Sequence, residues 1–200
     1  MKISEADLII NPDGSIYHLN ILPEDIADTI ITVGDQDRVS EVSKHFDSIE
    51  LKKGKREFIT HTGYLGKKRI TVISTGIGTD NIDIVFNELD ALANINFATR
   101  TINQELKSLN IIRVGTSGSI REEIEVGTIL ASSYGLGLDA LMSYYEQDQA
   151  IEDIYLLQQI KAHLPILKSE PYLTPASSQL IKQIAFDMPQ VITAVSYTHM

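Results

Sequence analysis

The chain has 200 residues, of which 43% are hydrophobic and 22% are charged, a composition that supports a folded core and excludes a disordered tail or a fibre. Its 17 basic and 27 acidic residues give a net charge of −10, which disfavours nucleic acid or an anionic membrane as a partner. The absence of cysteine excludes disulfides, cysteine-based zinc sites and a catalytic thiol. Because the sequence shows neither a signal peptide nor a long apolar run, we expect a cytoplasmic protein with a single domain over residues 1–200.

The first half of the sequence alternates strand and helix patterns after an irregular opening segment. The β-branched run Ile30–Val33 ends at Gly34, and residues 69–75 are nearly all apolar or β-branched, as in strands buried on both faces. Apolar residues at helical spacing follow each of these two runs. The predicted bounds, in chain order, are a strand at 30–33, a helix at 35–46, strands at 57–65 and 69–75, and a helix from Thr79 or Asp80 to 93.

The second half gives weaker patterns and begins with a polar insertion at 94–110, whose second part we expect to be helical. Further elements are predicted as strands at 111–114, 128–134 and 191–197 and as helices at 151–163 and 177–186. The alternation predicts an α/β protein, a three-layer α/β/α sandwich around a mixed, largely parallel twisted sheet. Because no helix follows the last apolar strand, we expect this sandwich to be incomplete at its C-terminal side.

The common nucleotide, hydrolase and metal motifs are absent or incomplete. Residues 76–81 follow a strand and open a helix, as a dinucleotide-binding turn does, but Asn81 stands where the third glycine is needed. The sequence has no P-loop and no Gly-x-Ser-x-Gly turn. Its 5 histidines include no i, i+4 pair, so a helical metal site is unsupported.

Arginines stand beside glycines where two of the predicted strands end. Arg38 closely follows Gly34, and Arg113 precedes a stretch rich in glycine and hydroxyl residues that runs to Gly118. In open α/β sheets, ligands bind beyond the carboxyl ends of the strands, where backbone N–H and guanidinium groups hold anions. The pattern indicates a site for a small oxyanion such as phosphate. The alternative interpretation is that Arg38 is a solvated first-turn helix residue and Arg113 an ordinary ion-pair partner.

These residues belong to a series of motifs in which the chain resembles the nucleoside phosphorylase superfamily, in its hexameric branch, and most of all the uridine phosphorylase group. Between residues 15 and 145 the motifs follow the family's order, which makes the resemblance specific although each motif is short. They are Tyr17-His18-Leu19, Gly34-Asp35-x-Asp37-Arg38-Val39, Arg56-Glu57-Phe58, Ser74-Thr75-Gly76-Ile77-Gly78, Asn87-Glu88-Leu89 and Arg113-Val114-Gly115-Thr116-Ser117-Gly118-Ser119-Ile120.

The resemblance implies a role for each matching residue, with Arg113 and Thr116 as the catalytic residues. Two residues, His18 and Arg56, would reach the site from a neighbouring subunit. By ligand, the implied set is Gly34 (through its N–H), Arg38, Arg113, Thr116 and Arg56 for phosphate; His18 for the ribose 5′-hydroxyl, Thr116 for the ribose, and Ser117 and Gly118 beside the base; and Glu57, Ile77 (through its carbonyl) and Asn81 for a monovalent cation such as potassium. At the last of these positions the family usually has serine.

The implied reaction is phosphorolysis of a nucleoside's N-glycosidic bond, which yields the free base and (deoxy)ribose 1-phosphate in nucleoside salvage or catabolism. The sugar passes through an oxocarbenium-like state, so arginine forks and N–H groups would hold the dianionic phosphate beneath the anomeric carbon without themselves reacting. Inorganic phosphate is then a co-substrate, and no cofactor is expected apart from the implied potassium ion. The expected partners are the nucleoside, phosphate and further copies of the chain, as a homodimer or a hexamer made of three dimers.

Two alternatives to uridine phosphorolysis remain open from the sequence. A purine nucleoside phosphorylase is one, because the purine branch shares the turn at 113–118. The other is an inactive homologue that binds phosphate or a nucleoside. The family's base-recognition and ribose-hydroxyl segments have no counterpart between Gly135 and Met200, so the chain is expected to lack the family's C-terminal portion.

Overall fold

A computed structural model of the protein describes residues 2–147, 149–164 and 169–195. The chain divides into two compact units, Met1–Thr116 and Ser117–Met200. Each unit contains its own principal β-sheet. Within the described ranges, no helix has the length and the apolar character needed to cross a bilayer.

The first unit is built on a five-stranded mixed sheet. Its elements are β1 (Thr29–Val33), α1 (Asp37–Ser43), β2 (Ser48–Lys55), β3 (Phe58–Leu65), β4 (Lys68–Ser74), α2 (Thr79–Asn94), β5 (Ile95–Asn96), β6 (Thr101–Ile102) and β7 (Asn110–Arg113). The strand order in the sheet is β2-β3-β4-β1-β7. Strand β1 is parallel to both β4 and β7, whereas β2, β3 and β4 form an antiparallel meander.

Helices cover both faces of this sheet, so the first unit has the three layers that the alternating pattern predicts. Neighbouring residues of one strand point to opposite faces, and in β4 Val72 faces α1 while Ile73 faces α2. The fully buried side chains include Ile30, Ile73, Val85 and Leu89 on the α2 face and Val33, Val39 and Val72 on the α1 face. Burying each such side chain stabilises the fold by about 1.5–3 kcal/mol.

The second part of the insertion at 94–110 is not helical, so that part of the prediction is wrong. The insertion forms the β5–β6 hairpin and an irregular segment that leads to β7. Ile95 in β5 and Phe97 in the hairpin turn both pack against the core on the α2 face. The Arg100 guanidinium donates to three carbonyl oxygens within residues 3–8. The hairpin therefore fastens the N-terminal segment to the unit.

Strand β2 has no counterpart among the predicted elements. It lies at the edge of the sheet and pairs with β3 alone, and its residues are exposed or half-buried along its whole length. Lysines are typical of such edge strands because they discourage pairing with another chain. A strand of this kind has almost no hydrophobic pattern for sequence analysis to detect.

The second unit contains a three-stranded sheet with strand order β10-β8-β9. Its elements are β8 (Ala131–Gly137), α3 (Ile151–Lys161), β9 (Tyr172–Pro175), α4 (Ser178–Ile184) and β10 (Gln190–Val195). Gly137 lies under the Tyr172 ring, where a Cβ would collide with the ring carbons. The predicted strand at 128–134 begins at Ala131 instead, and residues 196–197 of the predicted last strand lie outside the described residues.

A buried hydrogen bond joins α1 to the sheet of the first unit. Ser43 Oγ lies 2.8 Å from His61 Nδ1, and both residues are buried. Burial lowers the pKa of His61 from its ordinary value of 6.5, and the positive charge of Lys52, its cross-strand partner, lowers that pKa further. The imidazole is therefore neutral in the folded protein at a pH where the unfolded chain already binds a proton.

We expect this difference to make the free energy of unfolding fall as the pH drops through 6.5, because the unfolded state then binds more protons than the folded state. Urea unfolding at about pH 7.5 and about pH 5.5, on either side of the ordinary histidine pKa, measures the effect. His61→Gln should lose less stability between the two pH values than the wild type. His163→Gln, at an exposed position, is the control and should keep the wild-type pH dependence. Equal losses in the wild type and His61→Gln would contradict the prediction.

Candidate functional site

Three segments with predicted site residues meet at one edge of the first sheet. In the parallel register Val33 pairs with Ser74, and Thr32 pairs with Arg113. The pairing continues past the strand ends, since the Thr75 N–H donates to the Val33 carbonyl at 2.8 Å and the Val114 N–H to the Thr32 carbonyl at 2.9 Å. Adjacent strands are about 4.8 Å apart. The carboxyl ends of β4, β1 and β7 therefore lie side by side, as the predicted oxyanion site requires.

Gly34 and Gly76 bring two of these strand ends into close approach. A Cβ at Gly34 would lie 3.9 Å from the Gly76 carbonyl oxygen. After Gly34 the chain turns sharply into α1, because the Asp37 N–H donates to Asp35 Oδ1 at 2.9 Å and the Arg38 N–H to the Asp35 carbonyl at 3.2 Å. The turn places Arg38 in the first turn of α1, with its side chain exposed at the same end of the sheet.

Arg113 is the last residue of β7 and is exposed. Its guanidinium lies over the backbone of Gly115, where a Cβ would collide with Nη1. Thr116, also exposed, is the last residue of the first unit, and Ser117 and Gly118 belong to the second. A larger residue at position 115 would therefore displace the Arg113 guanidinium from its place over this backbone.

The six arginines of the chain fall into two groups by their contacts. Three have structural partners: Arg69 with Glu50 and two backbone carbonyls, Arg100 with backbone carbonyls, and Arg121 with Glu123. The other three, Arg38, Arg56 and Arg113, make no side-chain hydrogen bond or ion pair within the described residues. The ion-pair interpretation of Arg113 thus finds no support there. All three unpaired arginines are predicted phosphate ligands.

Arg56 stands at the tip of the β2–β3 hairpin in a left-handed conformation, with φ of 57°. Such a φ is uncommon outside glycine and costs about 1–3 kcal/mol. The turn is held by Ser74, whose hydroxyl donates to the Glu57 carbonyl at 2.6 Å and accepts from the Ile59 N–H at 2.8 Å. Ser74 lies in a motif of the resemblance but had no predicted role. The hairpin tip is thereby tied to the carboxyl end of β4.

His18 lies in a tight turn whose backbone is bound by Glu88 of α2. Both carboxylate oxygens of Glu88 accept backbone hydrogen bonds, from His18 N–H at 2.9 Å and 3.1 Å and from Leu19 N–H at 2.8 Å. Glu88 Oε1 also lies 2.7 Å from His18 Nδ1. The Tyr17 ring meets the imidazole edge-on at 4.7 Å, with Lys55 Nζ 4.1 Å from the Tyr17 ring centroid. The side chains of Tyr17, His18, Lys55 and Glu88 are all half-buried.

The three residues predicted for a monovalent cation lie close together. A Cβ at Gly76 would be 3.0 Å from Glu57 Cγ and 2.5 Å from Asn81 Nδ2. The Asn81 amide donates to the Ile77 carbonyl at 3.2 Å. In this placement the Asn81 Nδ2 donor faces the Ile77 carbonyl that would ligate the cation. Potassium binding stays a prediction, and no step below depends on it.

Comparison with known proteins identifies the family. The Phosphorylase superfamily matches the chain over residues 28–198. The chain is 31% identical over 144 residues to the uridine phosphorylase of Thermococcus kodakarensis, covering 72% of this chain and 47% of that protein. It is 28% identical over 148 residues to the DeoD-type purine nucleoside phosphorylase of Hahella chejuensis, covering 72% and 57%. A crystal structure of a Trypanosoma brucei nucleoside phosphorylase, described as showing uridine phosphorylase activity, matches with a TM-score of 0.82 at 27% identity, over 97% of this chain and 70% of that one.

The chain therefore belongs to the phosphorylase superfamily, which confirms the resemblance and the α/β fold class predicted from the sequence. It spans about half the length of the uridine phosphorylases that it matches, at 45–47% of those proteins.

The crowding around Gly76 leads to a prediction with a matched control. Gly76 and Gly66 both have positive φ, +66° and +58°, so alanine at either position carries a similar backbone strain of about 1–2 kcal/mol. A Cβ at Gly66 has nothing within 4 Å, whereas at Gly76 it meets Asn81 and Glu57. We expect Gly76→Ala to lower the free energy of urea unfolding more than Gly66→Ala does. Equal losses of unfolding free energy in the two variants would show that Asn81 and Glu57 can move to accommodate a Cβ at position 76.

Proposed function

We propose that this chain takes part in the phosphorolysis of uridine-like nucleosides, with inorganic phosphate as co-substrate. The observation that supports this most directly is the contrast among the arginines. Arg38, Arg56 and Arg113 are unpaired within the described residues, and Arg38 and Arg113 stand at the same strand-end edge as Gly34. Free guanidinium forks beside approachable backbone N–H groups are suited to a dianion.

In the proposed reaction, phosphate is held by the Gly34 N–H, Arg38, Arg113 and Thr116. One phosphate oxygen forms a bond to the anomeric carbon as the glycosidic C–N bond breaks, and the electron pair of that bond leaves with the base. The arginines position the nucleophile and balance its charge but do not react. Ser117 and Gly118 follow directly on Thr116 in the chain and are proposed to border the base. Hydrolysis by water would not need this set of cations.

Uridine is favoured over purine nucleosides by the relatives that the chain resembles. Uridine phosphorylases match it at 28–31% identity, and the structurally similar Trypanosoma brucei protein is described as having that activity. The match to a purine nucleoside phosphorylase supports the second candidate. A panel of uridine, thymidine and inosine, with and without phosphate, distinguishes the two. Release of no base from any of them would favour a homologue that binds without turnover.

Arg113→Ala should reduce kcat/KM for phosphate by about 10- to 100-fold, because one charge-assisted hydrogen bond contributes roughly 1.5–3 kcal/mol. The measurement is phosphate-dependent release of uracil from uridine. Arg121→Ala is the matched control, since Arg121 is an exposed arginine already paired with Glu123, and it should retain wild-type kinetics. An Arg113→Ala protein with an unchanged kcat/KM for phosphate would refute the assigned site.

The second part of the proposal is that subunits share their sites. The resemblance assigns His18, in the opening segment, and Arg56, at the β2–β3 hairpin tip, to the site of a neighbouring subunit. We propose that both residues act in the site of a neighbouring copy, in a homodimer or in a hexamer of three dimers. A cytoplasmic location also stays a prediction.

Mixing two impaired variants tests this sharing. In a hybrid of a His18→Ala chain with an Arg113→Ala chain, one pocket combines an intact Arg113 with an intact His18 from the neighbour, whereas the other pocket lacks both. Co-refolding the two should therefore restore activity to up to about half of the sites in each hybrid pair. Mixing His18→Ala with Arg56→Ala gives no pocket with both donors intact and serves as the control. No recovery in the first mixture, or an active monomer by light scattering, would contradict shared sites.

A further inference from the structure

The carboxylate of Glu88 binds both the backbone and the ring of the turn that contains His18. Glu88 lies on α2, 70 residues from His18 in sequence, and accepts from the backbone of His18 and Leu19 and from the His18 ring. The side chains of His18 and Glu88 are 26% and 13% exposed. A partly buried carboxylate in this position is sheltered from the water that weakens surface ion pairs.

The contact determines which ring nitrogen of His18 carries hydrogen. A carboxylate has only acceptors, so the nitrogen 2.7 Å from Glu88 Oε1 must donate. That nitrogen is Nδ1, and in the neutral ring Nε2 is then the hydrogen-free acceptor. The backbone N–H groups of His18 and Leu19 donate to the Glu88 carboxylate and so fix the turn. The Tyr17 ring contacts the imidazole edge-on and restricts it from one side.

We propose that Glu88 is a positioning residue that selects the Nδ1–H tautomer of His18 and thereby makes Nε2 an acceptor for a hydroxyl donor on the substrate. The proposal rests on the proposed function, in which His18 contacts the 5′ position of the ribose. It adds a rule of specificity: a nucleoside with a hydroxyl at that position is favoured because it donates to Nε2, whereas a 5′-deoxy nucleoside gains nothing from His18.

A purely structural role for Glu88 predicts a different pattern of substrate effects from a role in positioning the His18 ring. The two backbone hydrogen bonds alone would stabilise the turn, and their loss would weaken every substrate alike or lower stability. The ring contact adds a dependence on the 5′-hydroxyl. Glu88→Gln preserves the size of the side chain and one carboxyl-type acceptor, but its NH2 group can donate to Nδ1 and so permits the other tautomer.

The first test is nitrogen-15 NMR of the full chain labelled at histidine, with the His18 signals assigned by their absence in His18→Ala. The wild type should show the Nδ1–H tautomer. Glu88→Gln should show a clear increase in the Nε2–H tautomer, whereas Asp90→Asn, an exposed acid on the same helix, should leave the signals unchanged. This readout needs no turnover, so it decides the positioning role even if the wild type releases no base and the proposed function fails.

The second test compares uridine with 5′-deoxyuridine as substrates. Glu88→Gln should raise KM for uridine roughly 3- to 10-fold, the effect of one hydrogen bond, with little change in KM for 5′-deoxyuridine and in kcat for both. The double variant with His18→Ala should be no worse than His18→Ala alone. An unchanged tautomer in Glu88→Gln, or equal KM increases for both nucleosides, would overturn the proposal.

Discussion

Strand β1 pairs in parallel with β4 on one side and β7 on the other, and the arrangement of every group at the candidate anion site depends on this double pairing. Parallel strands end at a common edge, so Gly34, Gly76 and Arg113 meet although they come from distant parts of the chain. Strand β1 is central because its two faces are both apolar: Ile30 is buried beneath α2 and Val33 beneath α1. The hydrophobic effect that buries β1 thus also brings together the polar groups at its end.

The side-chain partners of the arginines distinguish those that support the fold from those that are available to a ligand. In a chain with 27 acidic residues, partners for an arginine are plentiful, and Arg69 and Arg121 have them. An exposed unpaired guanidinium costs little in water, since solvent satisfies its donors. Arg56 differs because the tight turn of the β2–β3 hairpin holds its backbone at a positive φ, a conformation that costs free energy in a residue other than glycine. Ser74 offsets part of that strain through its bonds on either side of the turn.

Sequence analysis succeeded where burial dictates structure and failed where contacts are distant or polar. Strands β1 and β4 were predicted because both of their faces are apolar, whereas β2, an exposed edge strand, gives no such pattern. The hairpin at β5–β6 was missed because its stability comes from Arg100 bonds to the far N-terminus. At the site, the positions of Arg38 and Arg113 follow from strand ends, whereas the implied role of His18 came from the resemblance alone. Glu88 received no role, since nothing local indicates that its carboxylate reaches a turn 70 residues earlier.

Helix α2 connects the carboxyl end of β4, at the candidate anion site, with the turn that contains His18. It begins beside Gly78, just after the carboxyl end of β4, and Glu88 lies nine residues beyond Thr79, or about 14 Å along a helix rising 1.5 Å per residue. Because Val85 and Leu89 are fully buried, this length of helix is packed against the core of the first unit. The turn that holds His18 is therefore linked through α2 to the anion edge of its own subunit. Under the proposed sharing of sites, each pocket would receive its 5′ contact from a histidine whose position is set by the phosphate edge of the neighbouring pocket.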